Sequence, residues 1–225
     1  VTTALLREPS NIAALPHDRH GRPVPWFAAW LDEAGRHARP APDTSPDFRV
    51  VRPGATVAAW ASRLCWVCGR ALARQEPRAF VIGPMCAVNL ISAEPPAHHE
   101  CAVYSARACP FLATPNMVRR DRHLPQGTVM PPGEMIMRNP GVVAVWVVKY
   151  NRPTARAVGS DLLFNIGHPP MWVEWYARAR PATRSEVLAS ITSGLPALAE
   201  RCEGNPSALA DLRACHARAL EVVPR

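Results

Sequence analysis

The sequence predicts an α+β fold: small antiparallel β elements and short helices around a treble-clef-like zinc centre, with a helical C-terminus. Three observations predict it. Soft metal ligands cluster between residues 65 and 109, in two paired groups. Proline makes up 25 of the 225 residues, about twice the usual share, which keeps helices and central strands short. Residues 183–223 carry helix-start and capping signals.

In chain order, residues 1–46 form a proline-rich segment. It holds the apolar patch "PVPWFAAWL" (23–31), followed by "DEAGRHARPAPDTSP" (32–46), a linker by composition. Residues 47–114 form the metal-binding core. There "DFRVV" (47–51) reads as a strand, and "GATVAAWASRL" (54–64) reads as a helix that delivers the chain to Cys65. "AFVIG" (79–83) reads as a strand and "MCAVNLIS" (85–92) as a short helix stopped by Pro95 and Pro96. "HHECAVYSARAC" (98–109) reads as a helix ended by Pro110.

Residues 115–225 form an α+β C-terminal part. A polar, basic stretch runs over 115–140, and "GVVAVWVVKY" (141–150) pairs antiparallel with "DLLFNIG" (161–167). Thr183 and Glu186 have capping-box spacing, and Gly194 is the expected stop of that helix. A second helix covers 206–223, with Asn205 or Ser207 as its cap.

"LCWVCGRAL" (64–72) holds the informative pair. C-x-x-C followed by glycine forms a tight knuckle that aims both sulfurs at one point. "HHEC" offers His98 and Cys101, three residues apart and so on one face of a helix start. Cys65, Cys68, His98 and Cys101 are therefore the candidate metal ligands, with zinc as the expected ion. Cys86 or His99 in place of His98 stays open, and Cys109 is a further alternate. This surplus of cysteines leaves iron or an iron–sulfur cluster as the alternative cofactor. A thiolate at Cys86, at an expected helix start, is the alternative catalytic feature.

Other stretches carry weaker signals. "PHDRHGRPVPWF" (16–27) concentrates His17, Asp18 and His20, which makes them candidate catalytic residues. Arg119, Arg120 and Arg122, and further on Arg178, Arg180 and Arg184, are candidate contacts to nucleic acid or another anion. The formal charge of +8 comes from arginine, with Lys149 the only lysine, so an anionic partner fits. No phosphate-binding glycine loop, G-x-S-x-G elbow or H-E-x-x-H occurs.

No charged start followed by an apolar run opens the sequence, and "GVVAVWVV" (141–148) is too short to span a bilayer. Seven cysteines, an odd number, argue against a disulfide framework. The expectation is a cytoplasmic protein with no membrane segment.

The strings "GRPVPWF", "CWVCG", "FVIGPMCAVN", "CAVYSARACPFL" and "RPATRSEV" together resemble a group of cysteine-rich actinobacterial proteins with phage-borne relatives. Some of these carry the label of cell-envelope biogenesis proteins. The resemblance covers most of the chain. It implies a shared fold and a shared Cys/His set: Cys65, Cys68, Cys86, His98, Cys101 and Cys109. It implies no activity, and the envelope label conflicts with the absence of a signal or membrane segment in the sequence. The chain departs from the group over 32–49 and 149–161.

The expected function is a cytosolic zinc-binding protein that contacts DNA, RNA or a protein–nucleic acid assembly through its arginines. The alternatives are a metal- or thiol-dependent enzyme and a structural module that binds a protein partner.

Overall fold

The computed structural model describes residues 6–120, 122–125, 128, 131–132 and 137–225. It is mixed α+β, with small antiparallel sheets and helices. In chain order the elements are α1 (Ser10–Ala13), β1 (Ala28–Leu31), β2 (His37–Ala38), β3 (Ser45–Val51), α2 (Ala55–Ala61), β4 (Arg78–Ile82), α3 (Pro84–Asn89) and β5 (Ile91–Ser92). They continue with α4 (His99–Ala108), α5 (Pro110–Ala113), β6 (Val143–Val148), β7 (Thr154–Val158), β8 (Asp161–Asn165), β9 (Trp172–Ala177), β10 (Arg180–Pro181), α6 (Arg184–Glu200) and α7 (Pro206–Glu221).

The strand orders are β2-β1-β3, β10-β9-β6-β4 and β5-β8-β7, with every pairing antiparallel. β6 organises the core. All six of its residues are buried, because each of its faces is covered. Strand alternation sends Ala144, Trp146 and Val148 to one side, against Met85 and Val88 of α3, Val187 and Ile191 of α6, and Ala219 of α7. Val143, Val145 and Val147 point the other way, toward Cys65, Cys68, Cys101, Ala102 and Ala106. Each large side chain buried in this way contributes about 1.5–3 kcal/mol. β6 therefore fixes the candidate metal residues against one face of the sheet and the C-terminal helices against the other.

Several expectations change. Residues 32–46 are a hairpin rather than a linker, since β1 pairs with both β2 and β3. The strand over 141–150 does not pair with that over 161–167. β6 lies between β4 and β9, while β8 pairs with β7 across a turn at Gly159 and with β5. A strand buried on both faces takes a central place, and the nearer hairpin partner takes β8. The helix over 85–92 ends early: Leu90 adopts a left-handed conformation, and the chain leaves as β5. α6 runs through Gly194 and Pro196 to Glu200. A Cβ at Gly194 would lie 2.6 Å from Met85 Sδ, so this glycine lets α6 approach α3 closely. Among the described residues no helix is long and apolar enough to cross a membrane.

The capping box forms as expected. Thr183 Oγ1 accepts from the Glu186 amide, the Glu186 carboxylate accepts from the Thr183 amide, and Arg180 pairs with Glu186 at 2.6 Å. The Arg180 hydrogen bond and then the Thr183 amide hold the Glu186 carboxyl down to about 2. A carboxylate depressed in this way stabilises the fold above its ordinary value of 4.5, and that contribution is lost as pH falls toward about 2. Thr183→Ala is expected to cost about 1 kcal/mol in denaturant unfolding. Glu186→Gln is expected to flatten the acid limb of the stability curve across that window.

Candidate metal centre

α2 ends at Ala61 with Ser62 as its C-cap, and Arg63 reverses the chain with a left-handed φ of 52°. A short hairpin follows. The Cys65 amide donates to Arg70 O at 2.7 Å, the Leu72 amide to Arg63 O at 2.8 Å, and Leu64 bridges Ala71. Gly69 closes the turn with φ 72° and donates to Cys65 O. A Cβ there would sit 2.2 Å from the Trp26 ring, so both the conformation and the space require glycine. The "PVPWF" patch forms the wall behind this turn. The Trp26 amide donates to Val67 O, Phe27 stacks on Trp66 at 4.7 Å, and the Arg52 guanidinium lies 3.7 Å from the Trp26 ring centre.

The other half arrives through Pro95 and Pro96. The Trp66 amide bonds Pro96 O, and Ala97 pairs with Ala79 of β4. That tie sets His98 as the N-cap of α4 and places Cys101 in its first turn. The ligand atoms of Cys65, Cys68, His98 and Cys101 then lie within 4.8 Å of one another, and all four residues are buried. His98 Nδ1 is 3.4 Å from Cys68 Sγ and 3.9 Å from Cys101 Sγ. A tetrahedral centre with metal–sulfur bonds of about 2.3 Å separates its ligand atoms by roughly 3.5–3.8 Å, so the four fit one ion.

The surroundings favour thiolates. Cys65 Sγ accepts from the amides of Cys68 (3.5 Å) and His98 (3.4 Å), at the positive end of α4. Hydrogen bonding from Cys101 and then Cys65 drives the Cys68 thiol strongly down. Cys65 and Cys68 in turn push Cys101 strongly up. Bonds to Cys65 and Cys68 raise His98 to about 10. Three sulfurs and an imidazole meet at one point, where a metal ion would take the place of their protons. With Nδ1 toward the sulfurs, the Nε2 hydrogen points to Ala71 O (3.3 Å), and Glu76 Oε2 lies 3.8 Å away. This outer pair fixes the ring and its tautomer. Glu76 escapes a reading based on spacing, because only the return of the hairpin brings it to His98.

The remaining candidates lie elsewhere. His99 points away, with Nε2 at 2.5 Å from Glu174 of β9, a carboxylate also bonded by Tyr176 and Trp172. Cys86 packs at the edge of the core between α3 and the sheet, outside the cluster of four. Burial pushes its thiol up to about 11, so helix-start activation of a thiolate is outweighed. Cys109 caps the far end of α4, eight residues and so about 12 Å along the helix from Cys101.

His17, Asp18 and His20 belong to a turn. The Asp18 carboxylate accepts from the amides of His20 and Arg22 and pairs with the Arg22 guanidinium at 2.6 Å. Burial opposes ionisation there, but the Arg22 bonds outweigh it and hold the acid down to about 2. Asp32 and Arg36 repeat the same turn. The repeated D-x-x-G-R is the sequence signal that marks both as hairpin turns.

The nominated arginines divide into two groups. Arg119 lies over Phe111 (4.7 Å), Arg180 is held by Glu186, and Arg184 bonds Pro224 O. Arg120, Arg122 and Arg178 are exposed. No family model matches the chain, and neither a curated protein nor a solved structure matches it.

His98→Ala is expected to weaken metal binding by more than the roughly 10–100-fold typical of losing an outer-shell partner. Glu76→Gln should fall within that range, and Cys86→Ser should leave metal content unchanged. Competition against a chromophoric chelator measures all three. Gly69→Ala is expected to destabilise the loaded protein by about 2–4 kcal/mol, from left-handed strain plus the clash with Trp26.

Proposed function

We propose that this chain is a zinc-binding protein with a treble-clef-type centre that contacts nucleic acid, or a protein–nucleic acid assembly, through its arginines. One observation carries the reading: three sulfurs and one imidazole nitrogen, supplied by a knuckle and by the first turn of a helix, meet within 4.8 Å. Two ligands from a knuckle and two from a helix start is the treble-clef arrangement. A soft, closed, tetrahedral donor set suits zinc, which would hold the two segments together and supply no redox chemistry. An iron–sulfur cluster is served less well. It takes a fourth thiolate, and Cys86 and Cys109 both lie away from the group.

The nucleic-acid half of the proposal rests on the formal charge of +8, carried almost wholly by arginine. Guanidinium forks match phosphate oxygens in pairs. Three free thiolates at one ion fit a reducing compartment, which supports a cytoplasmic setting. In the actinobacterial and phage-borne group that the sequence resembles, Cys65, Cys68, His98 and Cys101 would be the metal-binding part of the shared set. Cys86 and Cys109 would be its packing part.

Elemental analysis with an absorption spectrum on protein purified without oxygen tests the first half. The expected result is one zinc per chain and no visible band; iron with a broad visible band would overturn it. Anisotropy titrations of labelled DNA and RNA across a salt series test the second half. Affinity is expected to fall steeply as salt rises, and an absence of binding at low salt would sink it.

A further inference from the structure

We infer that the knuckle hairpin itself is the phosphate-contacting surface, through Arg63, Arg70 and Arg74. This inference rests on the nucleic-acid reading above and replaces the arginines nominated from sequence.

All three guanidiniums are exposed and lie within residues 63–74. Among the described residues none of them makes an ion pair or a side-chain hydrogen bond, whereas Arg180 and Arg184 are committed to partners within the fold. Arg63 and Arg70 lie on the hairpin, which is held by Cys65 and Cys68 at its turn, Trp26 and Phe27 behind it and its paired amides; Arg74 follows in the next turn, two residues past the last pairing at Leu72. Arg70 is tied most closely to the centre. Its carbonyl accepts from Cys65, and its amide faces Cys68.

Glu76 is the one carboxylate in residues 61–78. It accepts from the Ala73 amide and faces His98. The neighbouring Arg78 is buried and commits its guanidinium to the carbonyls of Glu76 and Ala73. A divalent ion with three thiolates carries a net charge of −1, less than the three exposed guanidiniums around it.

Arg63 occupies the left-handed position after α2, with φ 52°, where helices commonly end on glycine; Arg178 shares this conformation, with φ 51°, in its own turn. A long side chain there is strained, and the fold gains nothing visible from it, since the guanidinium has no partner among the described residues. Its backbone conformation belongs to the turn; its charge is free for an outside ligand. A rigid set of unpaired arginine forks on a chain of charge +8 fits an extended phosphate backbone better than a single anion.

The test uses the full, metal-loaded chain with a labelled 20-base-pair duplex and a labelled single-stranded RNA. The knuckle variant is R63G/R70A/R74A, and the comparison variant is R120A/R122A/R178A. The expected result is that the knuckle variant loses at least about 30-fold in affinity at 0.1 M salt. Its salt slope should fall by about 2–3, as three lost phosphate contacts require. Metal content should stay unchanged, and the melting temperature should be unchanged or raised, because glycine relieves the left-handed strain. The comparison variant should bind nearly as tightly as the wild type.

If wild type binds and the knuckle variant binds equally well, the inference falls while the nucleic-acid reading stands. If wild type binds neither probe even at low salt, both fall. If poly-glutamate competes as well per charge as nucleic acid does, the surface suits an acidic protein, and the inference is overturned in favour of that partner.

Discussion

The structure depends on one convergence: four soft ligand atoms from segments about thirty residues apart must occupy a sphere a few ångströms across. That arrangement is unfavourable unless something removes the protons and balances the charge. Buried thiols crowd one another, and their titrations split apart, with Cys68 driven down and Cys101 driven up. A divalent ion bound there would resolve the conflict. Structural zinc sites contribute about 10–16 kcal/mol, comparable with the whole net stability of a domain, about 5–15 kcal/mol. An ion of that kind would be enough to decide whether the surrounding packing exists.

What surrounds the centre is built from a few aromatic contacts. The residues behind the knuckle, Trp26, Phe27, Trp66 and Arg52, join through ring stacking and a cation over a ring, with few long helices or wide sheets to share the work. A chain with 25 prolines makes mostly short elements, α6 and α7 excepted. β6 stands apart in composition, as six buried residues free of proline, glycine and charge. It works because both of its faces are occupied, one by the cluster that contains the cysteines and one by the helices. The layer that holds the four candidate ligands and the helical layer share a single strand, the first packing on Val143, Val145 and Val147 and the second on Ala144, Trp146 and Val148.

The legible parts of the sequence were those fixed by local geometry. The ligand spacing, the helix at 98–109, the capping box at Thr183 and the cap at Asn205 each depend on residues within one or two turns of chain. Strand partnership did not have that property. Whether β6 pairs with β8 or sits between β4 and β9 is decided by what covers its second face, a fact of the whole fold. Gly194 misled for a related reason: a glycine near the middle of a helix reads as a stop, but here the closeness of Met85 gives it a packing role. The His17–His20 stretch forms a turn built on Asp18 and Arg22, a composition it shares with small polar pockets, and the same turn recurs at Asp32 and Arg36.

The adjacent histidines show most plainly how backbone geometry, not residue chemistry, selects a ligand. His98 and His99 have the same side chain and differ by one position in sequence, yet one faces three sulfurs and the other a carboxylate on β9. Consecutive residues on a helix project about 100° apart, so once Cys101 points inward, only the residue three positions earlier shares its face. The pairing of Ala97 with Ala79 fixes where α4 begins, and with it which histidine has its Nδ1 at the cluster. His99, rotated outward, meets Glu174, and that contact ties the start of α4 to the sheet from the opposite side. The two rings therefore brace one helix start between the knuckle and β9. The rejected ligand helps to hold the accepted one in place.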